Sequence, residues 1–386
     1  MLDERLLLAA HLAGLGFLPL AVVGAAEHVL PMMLRVGGRP VRAWSALPLL
    51  GLGAALALAV SQADRTLGRA ALALVAAGVL LVVADIGSLA ARAPGTRLLL
   101  ASRSAVVLAV CHAALALALG AVLLERPGRE VLGIRWDRAI LVHLHLAALG
   151  WLTLLILAVG RTLAPMLALA PAAPPRRLPA EELAFTAGLW LVLGGIGWRV
   201  EGLAPAGALL CVTALARFLG LLARVARTHR LDGMEGPLGH FLAGLVLLVQ
   251  AAVLGFLLLG GWEATSRRLA AYVVLLLVGW AVGVTIGHVG KLLAVSLWTW
   301  WPPGPRPRQA ALYPRRTWVV ETALFALGVE LLAAGALAGS AAAARSGAVL
   351  LLASAAVALA AAVWTLSRRG LTAERNPLAF PAASRR

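Results

Sequence analysis

Residues 143–166 of the chain are HLHLAALGWLTLLILAVGRTLAPM. The whole stretch is longer than the roughly 20 residues that a helix needs to cross the hydrocarbon core of a bilayer. From Leu146 to Gly160 it has no charged side chain. It opens with two histidines one residue apart, which is a costly start for a helix that faces lipid. The stretch therefore predicts a transmembrane helix that has functional polar side chains near one end.

The composition of the whole chain points to the same environment. Of its 386 residues, 61% are hydrophobic and only 13% are charged, whereas soluble domains are about half apolar and about a quarter charged. Long apolar runs recur from end to end. We therefore expect an all-α polytopic membrane protein whose main partner is the lipid bilayer, and a soluble globular fold is excluded.

Apolar runs separated by short polar loops define eleven predicted spans. The loops are rich in Pro, Gly and Arg, as in residues 170–182 (APAAPPRRLPAEE), and none is long enough for a soluble domain. We expect one membrane domain over residues 1–386, with a basic tail at 367–386 and a first span that is not a cleaved signal. The predicted spans are 6–34, 43–62, 69–91, 98–124, 138–169, 182–198, 203–227, 237–261, 268–299, 318–339 and 346–366.

The net charge of +17 comes almost wholly from arginine, since Lys291 is the single lysine. The arginines stand in short loops, which indicates topology control and contact with anionic lipid headgroups and not nucleic-acid binding. Nineteen arginines follow odd-numbered spans or lie in the tail, against eleven on the other side. The positive-inside rule then predicts an inner (plasma) membrane protein with its N-terminus outside and its C-terminus in the cytoplasm.

An internal repeat relates spans 1, 5 and 9. Residues 11–34 aligned with residues 145–168, at an offset of 134, match at nine of 24 positions, including a His, a Gly, a Pro and a Met. Span 9 aligns more weakly, through Gly279-Trp280 with Gly150-Trp151. Four helices per unit keep every copy in the same orientation, so we expect parallel repeats in a 4+4+3 arrangement. The units are 6–124, 138–261 and 268–366.

Histidines are the most informative polar residues of the spans, because ionisable groups there are rare and usually have a task. Among eight histidines only His229 falls clearly in a loop. At 1.5 Å per residue, the others fall into two depths. The first histidine layer, towards the predicted outer side, comprises His11, His112, His143 and His145, and the second histidine layer comprises His28, His240 and His288.

The spacing of these histidines indicates which cofactor they suit. His143 and His145 point roughly 200° apart on a helix and cannot bind one metal from one side, and the i, i+4 pattern of a zinc site is missing. Imidazoles on separate helices at equal depth suit a haem held by axial ligands, with His11, His112 and His145 as the best candidates. Copper bound by His112, His143 and His145 is the second option. Small residues nearby either leave room for a porphyrin or pack helices closely: Gly14, Gly16, Ala147, Ala148 and Gly150.

The stretch 143–166 resembles the His-x-His helix of short membrane proteins related to the catalytic subunit (subunit I) of haem–copper oxidases. That superfamily includes the nitric-oxide-response haem- and copper-binding membrane proteins. Residues 287–301, GHVGKLLAVSLWTWW, look like a further signature of the short relatives. The resemblance implies haem b, copper as an option, a quinol or cytochrome electron donor, and an oxidoreductase role with nitric oxide or oxygen.

Two departures limit that resemblance. Where the oxygen-reducing members have a Tyr four residues after a copper-binding His, Ala116 follows His112, and the chain has no His-His pair. Oxygen reduction and proton pumping are therefore not expected, and enzymatic activity stays open. The alternatives are a cofactor-free secondary transporter, or a non-catalytic assembly subunit. A transporter would use the charged residues predicted within the spans: Asp85, Arg103, Arg161, Arg217 and Lys291.

Overall fold

The chain is described by a computed structural model, and nearly all of its described residues are helical. The described ranges are 65–92, 97–125, 128–167, 180–228, 236–299, 309–312 and 315–368, with positions 11, 14, 17, 18, 21, 170, 171, 301, 307 and 314. Within these ranges the structure is all-α, as predicted.

Nine long helices, numbered here in chain order, make up this part of the structure. Two of them, α3 and α7, run without a break through a central segment of π-helix. The bounds are α1 Arg65–Arg92, α2 Arg97–Glu125, α3 Trp136–His145 with Leu146–Thr153 and Leu154–Leu167, α4 Ala180–Trp198, α5 Leu203–Thr228, α6 Gly236–Leu259, α7 Ser266–Val273 with Val274–Val282 and Gly283–Thr299, α8 Arg315–Ala338, and α9 Ala341–Ser367.

Eight helices of the described chain, α2 to α9, are long and apolar enough to cross a bilayer. They coincide with the predicted spans from 98–124 onward, so the prediction of a multi-pass membrane protein is confirmed. Helix α1 covers the predicted span 69–91, but its apolar part is shorter, Gly68–Leu81. The first two predicted spans lie largely outside the described residues, and the total of eleven stays a prediction.

Several helices begin before the apolar run that predicted them. Helix α8 begins at Arg315 and α9 at Ala341, three and five residues ahead of the predicted spans. Helical hydrogen bonding continues through the polar flank because a backbone group without a partner near the membrane is costly. The same extension places Glu181 and Glu182 in the first turn of α4, where both are buried, so their assignment to a loop is wrong.

The described chain divides into two compact units, with the division close to residue 232. The first contains α1 to α5 together with residues 252–264. The second contains residues 233–251 and the chain from Thr265 onward. Each unit is described by itself below, and the prediction of a single membrane domain stays a prediction.

Each unit contains a tight hairpin of two helices, α4 with α5 in the first and α8 with α9 in the second. Glycines allow the backbones to approach closely, as small residues do between membrane helices. A Cβ atom on Gly195 would lie 2.5 Å from the backbone nitrogen of Ala204. In the second unit a Cβ atom on Gly335 would likewise lie 2.5 Å from the backbone nitrogen of Ala344.

The π-helical segments of α3 and α7 both contain a Gly-Trp pair, Gly150-Trp151 and Gly279-Trp280. In α3 the amide of Leu154 donates to the carbonyl of Leu149, five residues back. Such segments are uncommon and are often found at functional sites, because they displace the side chains on either side from the regular helical positions. In this protein the segment of α3 begins directly after His145.

Candidate functional site

His112 lies on α2 in the first unit and is 3% exposed. Its Nδ1 atom is 2.7 Å from the carbonyl oxygen of Leu108, one turn earlier, so Nδ1–H donates and fixes the tautomer. Its Nε2 atom is buried and has no hydrogen-bond partner among the described residues. The ring packs against Gly150 of α3, and the ring of Trp190 of α4 is 5.8 Å away.

His143 faces α2 from the neighbouring helix α3. Its Nδ1 atom is 2.9 Å from the carbonyl oxygen of Ala116. Gly120 makes room for this ring, since a Cβ atom there would lie 2.9 Å from the Cε1 atom of His143. The His11 ring stacks on the ring of His143, with 6.2 Å between centroids and 20° between planes.

His145 is buried on α3 immediately before the π-helical segment. Its Nδ1 atom is 2.7 Å from the carbonyl oxygen of Leu141, which is the same anchoring that His112 has. An imidazole held in this way presents Nε2 as its second nitrogen. The two anchored rings therefore lie on adjacent helices of one unit.

The structure brings together much of the first histidine layer. His11 and His143 contact each other, and His143 bonds to the residue one turn beyond His112 on α2. The space beside Gly150 is occupied by the His112 ring, so this glycine serves close packing and does not itself leave room for a porphyrin. Within the described ranges no three His, Cys, Asp or Glu side chains are grouped to hold one metal ion.

A polar group of a different kind lies in the second unit. The Nε2 atom of His240 on α6 is 3.0 Å from Oε1 and 2.9 Å from Oε2 of Glu321 on α8. The hydroxyl of Ser354 on α9 donates to Oε1 of the same carboxyl group at 2.7 Å. All three side chains are essentially unexposed. We call His240, Glu321 and Ser354 the buried triad.

His288, on α7 of the same unit, has its Nδ1 atom 2.8 Å from the carbonyl oxygen of Val284. Its ring meets the edge of Phe241, the residue after His240, with 5.5 Å between centroids. The structure thus brings two members of the second histidine layer onto neighbouring helices at similar depth. The third member, His28, lies outside the described residues.

Four charged residues form an acid–arginine cluster where α3, α4 and α5 of the first unit meet. Arg161 donates to Glu181 at 2.7 Å and to Glu182 at 3.2 Å. Arg217 donates to Glu181 at 3.3 Å from the third helix. Arg161 and Arg217 were expected to act in a transporter. In the structure both form salt bridges with the carboxyl group of Glu181. The side chains of Asp85 and Arg103, also expected there, are outside the described set.

Sequence reasoning missed the partners of these residues. Glu321 is an acidic residue within the predicted span 318–339, but no pattern in α8 indicated His240, which precedes it by 81 positions. Ser354 resembles any small residue of an apolar helix. A glycine eight residues after His112 is the only signal that could have indicated where His143 packs.

Three polar assemblies within the apolar helices of the described chain bear on function: the anchored histidines of α2 and α3, the acid–arginine cluster, and the buried triad. The first two lie in one unit and the third in the other. No protein-family model matches this chain, and no curated protein is significantly similar to it.

Proposed function

We propose that this protein is a haem-binding integral membrane protein, related in architecture to the catalytic subunit of haem–copper oxidases. It would act in electron transfer or in binding and processing a diatomic gas, nitric oxide or oxygen. A quinol or a cytochrome would supply electrons, and copper is a further candidate metal. The proposed setting is the inner membrane, with the N-terminus outside and the C-terminus in the cytoplasm.

One observation carries this proposal: the buried Nε2 atom of His112 has no hydrogen-bond partner among the described residues. A buried polar atom without a partner is costly, and one that persists requires an explanation, such as a ligand. Because Nδ1–H is donated to Leu108, the lone pair is on Nε2. Histidines that bind metals are oriented in this way, with the other ring nitrogen donating to a carbonyl oxygen.

The same anchoring recurs at His145 and His288, whose Nδ1 atoms face the carbonyl oxygens one turn back. In the first unit His112 and His145 would hold haem through Nε2, and in the second unit His288 is a candidate ligand of a separate haem or metal site. The bound group supplies an iron centre that exchanges electrons or binds a gas molecule. The protein's part is to fix each ring and its tautomer, and to keep water from the site with apolar helices.

The internal repeat gives separate support. The π-helical segments of α3 and α7 fall on the Gly-Trp pairs that aligned spans 5 and 9. In the first span, Gly14 and Phe17 also have π-helical backbone, and at the offset of 134 they correspond to Ala148 and Trp151 within the segment of α3. A π-helical turn at matching positions favours the parallel 4+4+3 arrangement.

The experiment that tests the proposal is an absorbance spectrum of the purified protein in detergent, oxidised and reduced with dithionite, with metal analysis of the same sample. A sharp α-band on reduction, with iron bound in a fixed ratio to the chain, is expected. Carbon monoxide then tests whether an iron has an open position. A colourless, iron-free protein from haem-replete cells would refute the proposal.

A secondary transporter without cofactor is the second candidate, and the acid–arginine cluster favours it. Glu181 and Glu182 are 4% and 3% exposed, which is rare for carboxyl groups in membrane helices and typical of substrate or ion pathways. Uptake of a charged solute into liposomes that contain the colourless protein would support this function. Abolition of uptake in an Arg161→Gln variant that still folds would connect it to the cluster.

A further inference from the structure

The buried triad lies within the second unit. Its carboxyl residue, Glu321, has a counterpart in the sequence of the first unit. Glu321 and Glu181 are 140 residues apart, since 321 − 181 = 140. At the same offset, three glycines of the α4–α5 hairpin match three glycines of the α8–α9 hairpin, and one phenylalanine also matches. The pairs are Phe185 with Phe325, Gly188 with Gly328, Gly195 with Gly335, and Gly207 with Gly347.

The two carboxyl groups differ in their partners. Glu181 is paired with arginines, Arg161 and Arg217. Arginine stays protonated at every accessible pH, so the positive charges that face Glu181 do not change with pH. Glu321 instead faces an imidazole and a hydroxyl, on His240 and Ser354. Both the imidazole and the carboxyl group can gain or lose a proton, so the charge here is exchangeable.

The geometry of the buried triad supports proton exchange. A carboxyl group and an imidazole within hydrogen-bond distance hold one proton between them with no net charge, which suits burial in apolar surroundings. A proton added to His240 while Glu321 is ionised, or lost from Glu321 while His240 is neutral, changes the charge of the site by one. Ser354 donates a hydrogen bond to Oε1 of the same carboxyl group and holds it in place.

A second observation is the other nitrogen of His240. Its Nδ1 atom is buried and has no hydrogen-bond partner among the described residues, and its ring packs on Phe325 with 4.6 Å between centroids. Most buried side-chain nitrogens have a hydrogen-bond partner, so one without a partner requires an explanation. A proton that binds at Nδ1 and leaves again would supply one.

We propose that His240, Glu321 and Ser354 form an intramembrane proton-binding site, which takes up one proton from the bulk and releases it again. The step is a transfer of one proton to the His240–Glu321 pair, with no electron transferred and no covalent bond between heavy atoms changed. The site is independent of haem, and it would serve either electron transfer coupled to proton uptake or proton-driven transport.

The other titratable groups of the helices packed around the triad are few. On α8, Glu330 lies nine residues beyond Glu321 and accepts a hydrogen bond from Gln250 of α6 at 2.7 Å. Helix α7 carries Tyr272 near its start, His288, which contacts Phe241, and Lys291, which is buried. The arginines of α7, α8 and α9 stand near the helix ends. Glu330 is thus a control carboxyl group in the same unit.

Infrared difference spectroscopy of the purified full-length protein, between about pH 5 and about pH 9, measures the protonated carboxyl groups directly. We expect a carboxyl C=O band that grows as the pH falls, disappears in Glu321→Gln, and remains in Glu330→Gln and Glu181→Gln. Ser354→Ala removes the hydroxyl that donates to Oε1 of Glu321, so the frequency of the Glu321 carboxyl band should shift.

Two outcomes overturn the proposal. One is a band that is unchanged in Glu321→Gln, and the other is no pH-dependent carboxyl or imidazole signal, which would indicate a static hydrogen-bonded triad. If Glu321→Gln does not fold, Ser354→Ala and NMR of isotope-labelled histidine in the parent protein decide the question. The Nδ1 resonance of His240, assigned with His240→Gln, must then titrate, while the Ser354→Ala change moves its midpoint.

Discussion

Gly150 lies directly against the imidazole of His112: a Cβ atom on this glycine would be 2.9 Å from the Cβ, Cγ and Cδ2 atoms of the histidine. Helix α3 thus has no side chain at the point where the imidazole of α2 packs against it. The contact fixes the plane of the imidazole from one side, and Trp190 limits it from another. Any ligand of Nε2 therefore meets a ring that is already oriented.

Gly150→Ala should disturb this arrangement, because the new methyl group contacts the ring at its root, where it cannot swing away. We expect a loss of about 1–3 kcal/mol in stability from overpacking, measured as a lower melting temperature in detergent. Any haem spectrum should be shifted or weakened. The control is Gly220→Ala on α5, where nothing lies within 4 Å of the new methyl group; it should leave the haem spectrum unchanged and should not lower the melting temperature.

His112→Ala should abolish or strongly reduce haem binding, because it removes the buried Nε2 atom that has no protein partner. His145→Ala and His288→Ala should each reduce it as well, with iron content per chain and the reduced α-band as the measurements. Cys111→Ser, at the exposed neighbouring position, is the matched control. Full haem content in His112→Ala would remove this residue from the ligand set.

Arg161→Gln should destabilise the protein more than the double variant Arg161→Gln/Glu181→Gln does. The single change leaves two buried carboxyl groups with one partly exposed arginine, at a cost of about 3 kcal/mol for breaking a buried pair. The double change removes one charge of each sign. A double-mutant cycle of thermal stability in detergent measures the difference, and additive effects would show that the two residues are not coupled.

Gly195→Ala and Gly335→Ala should each weaken one hairpin, because the new methyl group meets backbone atoms of the partner helix at 2.5 Å and backbone cannot move aside. Protease accessibility of the short link between the two helices should rise. Gly220→Ala again serves as the control. An unchanged protease pattern in both variants would indicate that the helices of each hairpin do not pack as closely as described.

Composition and apolar run length predicted the eight spans α2 to α9, since the physics of a bilayer sets helix length within narrow limits. For α8 and α9 only the first turns were missed, because polar flanks continue a helix without extending its apolar run. The π-helical segments could not be predicted. No local pattern distinguishes Leu146–Thr153 from an ordinary apolar helix, and this segment packs against α2, a contact that no sequence pattern indicates.

The sequence indicated individual residues of the candidate sites, but not which of them contact each other. The rarity of polar groups in the spans indicated His112, His143 and His240, but helix adjacency is a property of three-dimensional packing. Glu181 was missed for another reason: it follows a proline- and arginine-rich loop and resembles part of that loop. Its match with Glu321 at an offset of 140 becomes visible only once both are known to be buried.

The two glycine-packed hairpins have a consequence for the order in which this protein assembles. Only four residues separate α4 from α5, and only two separate α8 from α9, so the contacts within each hairpin are local in sequence and close quickly. We expect each hairpin to form as the ribosome delivers its second helix. Glu181 and Glu321 are inserted into the membrane as parts of these hairpins. The partner of each carboxyl group, Arg161 for Glu181 and His240 for Glu321, lies on a helix that was synthesised earlier.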